Sequence, residues 1–538
     1  MKPIKLKYFS LFWFIALIMF VAGCNDFGDM NDDPSQSTDM DPNMQLSTVQ
    51  LQVSSNKWQQ NRLFIYPGAF TYHISGSWAD VEYGGKGKKN DGYMSNLWSY
   101  EYPVQIKNIV DLVERTNSKP EYTNLNAVAR IMKVYLFSRL TDMFGDIPYF
   151  DAGKGYYTGT FLPKYDTQKD IYYDFFKELD AAAKALGTAS DKVIYDIYYN
   201  GDLAKWKKFA NSMRLRLAMH IVKVEPEKAR AEAEAAIAGG VMENNADMCV
   251  TKHLNSPYDG TDWGRGGNGN SYIFMESGTN SNGYRVSQEL VKFMEDRNDP
   301  RLPLMVGCYL EDPSRTDITQ ALLNALKVKW QDIAVPACYF TYDIWRADIN
   351  LNIGGVEYKK IPSRLQQLQP SKYICAFDAP YFHQTCAEVK LFVAEAAFRG
   401  WNTGGKSVNE SYAEAMNAAM KQMSLYPGAP EITQTQIDNY IAANPMIAGQ
   451  ELEQINTHLW AVLFLNEIEA YTNLRRSGYP AFTWKDLYPA ESESNHQMPR
   501  RYQYPLNEQF KNKDNYNEAV ARMGGTDSWL NRVWWDKQ

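Results

Sequence analysis

Long runs of capped helical periodicity, broken by one extended block that lacks it, most constrain what this chain can become. In 124–144, Leu125, Val128, Met132, Tyr135, Leu136, Arg139 and Met143 recur at helical spacing, while Ala127 and Ala129 admit a close neighbour. Gly145 and the following Asp146-Ile147-Pro148 end that run. A second run opens after Asp202, a natural N-cap, and carries Leu203, Trp206, Ala210, Met213, Leu217, Ile221 and Val224 on one face. Its basic residues Lys205, Lys207, Lys208, Arg214 and Arg216 fall on other faces, as solvated or packed side chains. Pro226 suits the first turn of an Ala-rich helix that stops at Gly239-Gly240. Further on, Thr385 with Glu388 and Ser407 with Glu410 make two capping boxes, for helices to Arg399 and to Leu425. Such a hairpin spans about forty residues, near the ~34 of a tetratricopeptide unit. One long helix is then expected from Gln450 to Arg476, with Arg475, Arg476 and Gly478 suiting its C-terminal end.

Between these helical parts, 241–382 is rich in Gly, Asn, Pro and aromatic residues, with a helical signal near Ser287 to Met294. The run from Trp263 to Asn270 is too glycine-rich for a helix. The tail, 479–538, is Pro-, Tyr- and Trp-rich and reads as mostly irregular. The fold class expected is therefore mainly α, with helix pairs as scaffold and a large irregular region.

The N-terminus carries an export signal. Lys2, Lys5 and Lys7 precede an apolar run from Leu11 to Phe20, and Val21-Ala22-Gly23-Cys24 forms a lipobox. The apolar stretch from Tyr8 to Ala22 is shorter than the ~20 residues a membrane span needs, and acidic residues, not a basic stop, come after it. We read 1–23 as a signal peptide, Cys24 as a lipid-attachment residue, 24–43 as an acidic flexible tether and 44–538 as the body. That body is helical over 44–240 and 383–478 and loop-rich over 241–382 and 479–538. The formal net charge is −7, and losing the three leader lysines makes it more negative, which gives nucleic acid no basic face to bind. With Cys24 acylated, five cysteines remain, an odd number without a CxxC pair, so a disulfide scaffold is not expected. Spacing leaves open one bridge, Cys375 to Cys386.

Chemical motifs mostly dissolve on inspection. Residues Gly400 to Ser407 satisfy the P-loop pattern, but the segment before them reads as a capped helix where a P-loop needs a strand. The six histidines, His73, His220, His253, His383, His458 and His496, never pair at i, i+4 as a helical zinc site requires. Asp259, Asp262, Asn268 and Asn270 offer oxygens for calcium without the EF-hand spacing. Glu467 and Glu469 sit two apart on a helix and so face different ways. No catalytic, metal or cofactor constellation emerges.

Aromatic residues remain: the chain holds 14 Trp and 36 Tyr, and exposed rings are common platforms for flat ligands such as sugars. Trp78, Tyr83 and Tyr93 stand beside Gly84, Gly85 and Gly87 in an expected loop, and Tyr258, Trp263 and Tyr272 stand in a second. These six are the candidate ligand-binding residues.

Several stretches in order carry a resemblance. They are Phe144 to Pro148, Trp206 to Met219, Asn298 to Pro303, Ala387 to Ala396, Tyr471 to Pro480 and Pro499 to Pro505. Behind a lipobox and an acidic tether, they resemble the SusD/RagB family of outer-membrane nutrient-binding lipoproteins of Bacteroidetes, in its SusD-like branch. The resemblance implies four tetratricopeptide-like helix pairs, a ligand site in the irregular part, and no catalysis. It also implies a cell-surface, lipid-anchored position as the lid of a SusC-like TonB-dependent outer-membrane barrel that imports an oligosaccharide or oligopeptide. The acidic residues after Cys24 look like that phylum's surface-export signal. The rival class is a surface lipoprotein glycoside hydrolase.

Overall fold

The computed structural model describes residues 40–257, 266–277, 283–310, 316–484 and 491–537. Cys24, the leader and most of the tether lie outside these, as do Tyr258 and Trp263. Helix dominates strand, 55% to 7%, which makes the molecule mainly α.

Eleven helices build the scaffold that positions the site. The N-terminal layer comprises α1 (Pro42–Ser55), α2 (Lys57–Leu63), α3 (Lys107–Thr116) and α4 (Thr123–Phe144). Next come α5 (Gln168–Ala185), α6 (Leu203–His220) and α7 (Pro226–Ala238), and then α8 (Cys386–Phe398), α9 (Val408–Lys421), α10 (Glu451–Val462) and α11 (Glu467–Ser477). Successive helices pack on one another: α3 on α4, α4 on α5, α5 on α6, α6 on α7, α8 on α9 and α10 on α11. Burial matches the periodicity, with Leu125, Val128, Met132, Leu136 and Met143 of α4 all inside.

The caps form where the sequence places them. The Asp202 carboxylate accepts from Ala204 N and Lys205 N, and Ser407 with Glu410 completes a reciprocal box. At Thr385 the box is half made: Thr385 accepts from Glu388 N, but the Glu388 carboxylate turns inward to Arg216 at 2.6 and 2.8 Å. The P-loop-like segment is the turn into α9, where Ser407 is the N-cap and Lys406 pairs with Glu414.

One expectation about the helices needs correction, and the one bridge that spacing left open is settled. The long helix from Gln450 breaks after Val462, and α11 starts afresh at Glu467, with Leu465 at φ +71°. Glu467 holds the break in place: it accepts from Leu465 N at 3.2 Å and reaches Thr71 Oγ1 and His73 Nδ1, both at 3.1 Å. The Cys375–Cys386 bridge is not formed, because the five cysteines of the body are all buried thiols.

The irregular region is stitched by antiparallel two-stranded ladders. Ile74–Ser75 pairs with Arg285–Val286, and Cys249–Thr251 with Tyr381–Gln384. Val306–Gly307 pairs with Gln369–Pro370, and Ile349–Ile353 with Val356–Ile361. Here a helix begins inside the glycine-rich run, at Gly269, where the Asn268 side chain accepts from Asn270 N at 2.9 Å. The tail folds back on α4: Arg501 Nε donates to Phe144 O at 3.0 Å, and the Trp535 indole to Asp142 at 3.0 Å.

Buried ion pairs lock the helical layers. Arg216 of α6 holds Glu388 of α8, and Arg476 of α11 holds Glu395 of α8 at 3.0 and 2.8 Å while Arg399 shares the same carboxylate. Two further basic residues of α6 are paired nearer the surface, Arg214 with Asp180 and Glu232 and Lys208 with Glu243 and Asp247.

Candidate functional site

Asn56 caps α2, its side chain accepting from Gln59 N at 2.9 Å. That fixes Trp58 in the first turn, pointing outward and 43% exposed, with Arg62 one turn on along the same face. The Arg62 guanidinium lies 5.7 Å from the Trp58 ring and 4.2 Å from that of Tyr93, and Lys57 Nζ stands 4.8 Å from Trp58. Tyr93 is held by a short helix, Asp91–Met94, whose cap Asn90 accepts from Tyr93 N at 3.0 Å.

Trp78 and Tyr83 enter from the other side. Their segment is not the expected loop but a helical turn that widens over Asp80–Gly85. Gly84 explains how it docks: a Cβ there would stand 2.1 Å from Ile65 O and 2.7 Å from Ala69 Cβ, so only glycine lets this turn press against Phe64–Gly68. The result is a connected series of rings. Trp78, 48% exposed, meets Tyr83 at 5.7 Å and 89°, and Tyr83 meets Tyr93 at 5.1 Å and 87°. Trp58 extends the series through Arg62.

The electrostatics leave a cationic donor beside the rings. Arg62 donates to Asn61 Oδ1 at 3.1 Å, its Nε is buried without a partner, and no carboxylate among the described residues pairs with it. Burial lowers its pKa, with the nearby Tyr93 and Tyr284 hydroxyls opposing. Beneath the rings Asn61 donates to the Tyr284 hydroxyl at 3.1 Å. Asp80 is fully buried, and burial raises its carboxyl well above the usual range despite hydrogen bonds from the Asp80, Val81 and Ser77 backbone. Glu82, next to Tyr83 in the chain, is tied to Lys86 and Lys88. Burial pushes its pKa up, but the two lysines outweigh this and hold it below the usual range. Such an arrangement has the chemistry to stack the apolar face of a ring on an aromatic face and to offer guanidinium donors to hydroxyl or amide oxygens.

Of the six candidates from sequence, the structure thus joins Trp78, Tyr83 and Tyr93. Tyr258 and Trp263 lie outside the described residues. Tyr272 is 1% exposed, its hydroxyl donating to Ser256 O at 3.0 Å and its ring 5.5 Å from Phe377, so it is a packing residue and not a platform. Sequence reasoning missed Trp58 and Arg62. Their signal was the spacing of a Trp and an Arg four apart on a short capped helix. Glu388, Glu395, Glu467 and Glu469, the acids of the helical layers, are all buried in ion pairs or hydrogen bonds away from these rings.

No described helix is long and apolar enough to cross a membrane. The family model SusD-like_2, described as starch-binding and associating with the outer membrane, matches residues 34–505. Among solved structures, a chitin-binding protein is 37% identical with a TM-score of 0.78, covering 93% of this chain and all of its own. A Bacteroidetes SusD-like protein, AC2a, is 30% identical with a TM-score of 0.83 over the same shares. A chitin-binding SusD homologue from Flavobacterium johnsoniae shares the fold at 22% identity and a TM-score of 0.70, over 92% of this chain and 98% of its own. A search of curated proteins returned no match. Helix pairs, ladder-stitched irregular region and sequence blocks thus agree over nearly the whole body, and the chain belongs to the SusD-like family.

Proposed function

We propose that this protein is a cell-surface lipoprotein, held by lipid on Cys24, that captures an oligosaccharide on the Trp58, Trp78, Tyr83 and Tyr93 face. It delivers that ligand, without cleaving it, to a SusC-like TonB-dependent barrel for which it serves as lid. The observation carrying the reading is the ring series with an arginine that no described carboxylate neutralises, in a family whose model is described as starch-binding and whose similar structures include chitin-binding proteins. A peptide ligand has less support, since the family model and two of the similar structures named above are described by glycans.

Isothermal titration of the soluble body with starch-, chitin- and other plant- or cell-wall-derived oligosaccharides, alongside oligopeptides, tests it. Saturable binding of an intact oligosaccharide, weakened by Trp78→Ala, is the expected result. Reproducible turnover would establish the glycoside hydrolase instead, and saturable binding of peptides alone would overturn the ligand class.

A further inference from the structure

A cleft of about 700 Å³, lined by none of the rings Trp58, Trp78, Tyr83 and Tyr93, opens between three elements of the scaffold. These are the end of the helix Gln288–Glu295, the outer side of α10 and the segment that leaves α11. Asp296 and Arg297 form one wall. Glu453 and Thr457, a turn apart on one face of α10, form another. Phe482 supplies an aromatic side, braced by the rings of Tyr72 at 4.9 Å and Trp460 at 5.3 Å.

The walls are bonded into place by groups that do not need a ligand. Gln454 Nε2 donates to Pro445 O at 2.8 Å and its Oε1 accepts from Ile447 N at 3.0 Å, which pins the loop before α10. Asn444 Nδ2 donates to Arg297 O at 3.2 Å and joins that loop to the opposite wall. The turn bearing Arg297 is held from within, because the Asp299 carboxylate accepts from Arg301 Nε at 3.0 Å and from Nη2 at 2.6 Å. A cleft shaped in advance spares a ligand the cost of ordering it. Arg297 itself is left over from this bonding. Its guanidinium stands 4.1 Å from the Phe293 ring, and among the described residues it makes one hydrogen bond, from Nη1 to Phe293 O at 3.2 Å, and no ion pair. Arg62 over Tyr93, at 4.2 Å, is the same pairing of an uncommitted guanidinium with a ring.

We propose that this cleft is a second saccharide-binding site, in which Arg297 and Glu453 hold hydroxyl groups of a neutral sugar against Phe482. The inference rests on the saccharide class of the proposed function and adds a site built from residues that the ring series does not share. Three features select that chemistry. The rim carries both signs, Arg297 against Asp296 and Glu453, and Asp296 is already bound to Lys292 at 2.6 Å, so no single strong charge dominates it. Donors and acceptors alternate around an aromatic side, which suits a ring whose hydroxyls do both and whose face is apolar. The volume falls in the range of small-ligand sites, ~300–1,000 Å³. Two sites on one chain would let a long polymer bind more tightly than either site binds a fragment of it.

The test titrates the full-length lipoprotein in detergent with starch- and chitin-derived hexasaccharides. Wild type is compared with Arg297→Met and with Ala443→Trp, in which an exposed alanine at the edge of the cleft gives way to a ring that fills the space. The expected result is two saccharides per wild-type chain. Each cleft variant weakens one of them by about tenfold or more, while the other, which Trp78→Ala weakens, and the unfolding temperature stay as they are. A crystal soaked with the same hexasaccharide is expected to show sugar against Arg297 and Phe482. One saccharide per chain, sensitive to Trp78→Ala and indifferent to both cleft variants, would overturn the second site and leave the proposed function standing. Two saccharides that both ignore the cleft variants would do the same. One saccharide sensitive to the cleft variants alone would uphold the cleft and overturn the ring series. An oligopeptide bound in place of sugar and lost with Arg297→Met would overturn the ligand class, and absence of any saccharide binding would remove the proposed function and this inference together.

Discussion

Arg62 stacks on Tyr93 and leans over Trp58, yet no described carboxylate neutralises it, an arrangement suited to hold acceptor atoms of a ligand over two rings. Removing it tests binding apart from folding. Arg62→Met is expected to weaken oligosaccharide affinity about tenfold with little change in unfolding temperature, because no ion pair is broken. Trp78→Ala is expected to cost about 1–3 kcal/mol of affinity, the scale of stacking on a flat ligand, and calorimetry with thermal unfolding reads both quantities. Gly84→Ala should behave in the opposite way: its Cβ meets backbone at 2.1 Å, and forced overpacking costs about 1–3 kcal/mol of stability. Trp78, Tyr83 and Tyr93 were legible in sequence as rings beside glycines. Tyr272 was not separable from them, since the same composition describes an anchor, and only its burial distinguishes it. Trp58 and Arg62 escaped because their signal is a spacing on one face of a seven-residue helix, too short for periodicity to stand out.

At the scale of elements, buried charges cross between helices packed on one apolar core, and two of them set opposite pH responses. Burial raises the Glu395 pKa, but Arg476 and Arg399 overcome this and hold it at about 2. Its folded value lies below the usual 4.5, so its contribution is present above that value and is lost as pH falls through about 2. Glu101 has one 3.3 Å contact with Arg139 and an oxygen without a partner, so burial prevails and its pKa rises to about 7. A raised carboxylate reverses the sign: stability falls as pH climbs from 4.5 to about 7. Glu395→Gln is expected to cost about 3–5 kcal/mol, as for any broken buried pair, and to flatten the acid limb of a plot of unfolding free energy against pH. Glu101→Gln should leave that limb and flatten the slope between 4.5 and about 7. The helices themselves were readable from period and caps. The break between α10 and α11 was not, since no Pro or Gly marks it and its cause, the pairing of Glu467 with His73, joins residues nearly four hundred positions apart.

For the molecule as a whole, the blocks that carry the family resemblance turn out to be scaffold. Glu388, Glu395, Arg475, Arg476 and Arg501 lie in them, and each is buried and bonded to another layer. That is why the fold was more legible than the candidate site: the scaffold shows itself in helical period and caps, whereas a partly exposed ring has the same local sequence as a packed one. The tail, expected to be mostly irregular, carries the helix Lys513–Arg522 between irregular stretches and closes over α4 with Trp529 and Trp535 buried. The core and the ring series are both assembled from residues of the body, so Cys24→Ala is expected to yield a soluble, folded protein with full oligosaccharide affinity, checked by fractionation and titration.

The right angles between Trp78, Tyr83 and Tyr93 carry a consequence for selectivity. Neighbouring faces in that series are never coplanar, so a polymer lying as a flat ribbon engages one ring at a time. A chain that winds about its own axis turns successive residues toward successive rings. Under the proposed function, affinity is therefore expected to follow the curvature of the glycan as well as the identity of its monomer, and titration with wound and ribbon-like oligosaccharides of equal length reads the difference.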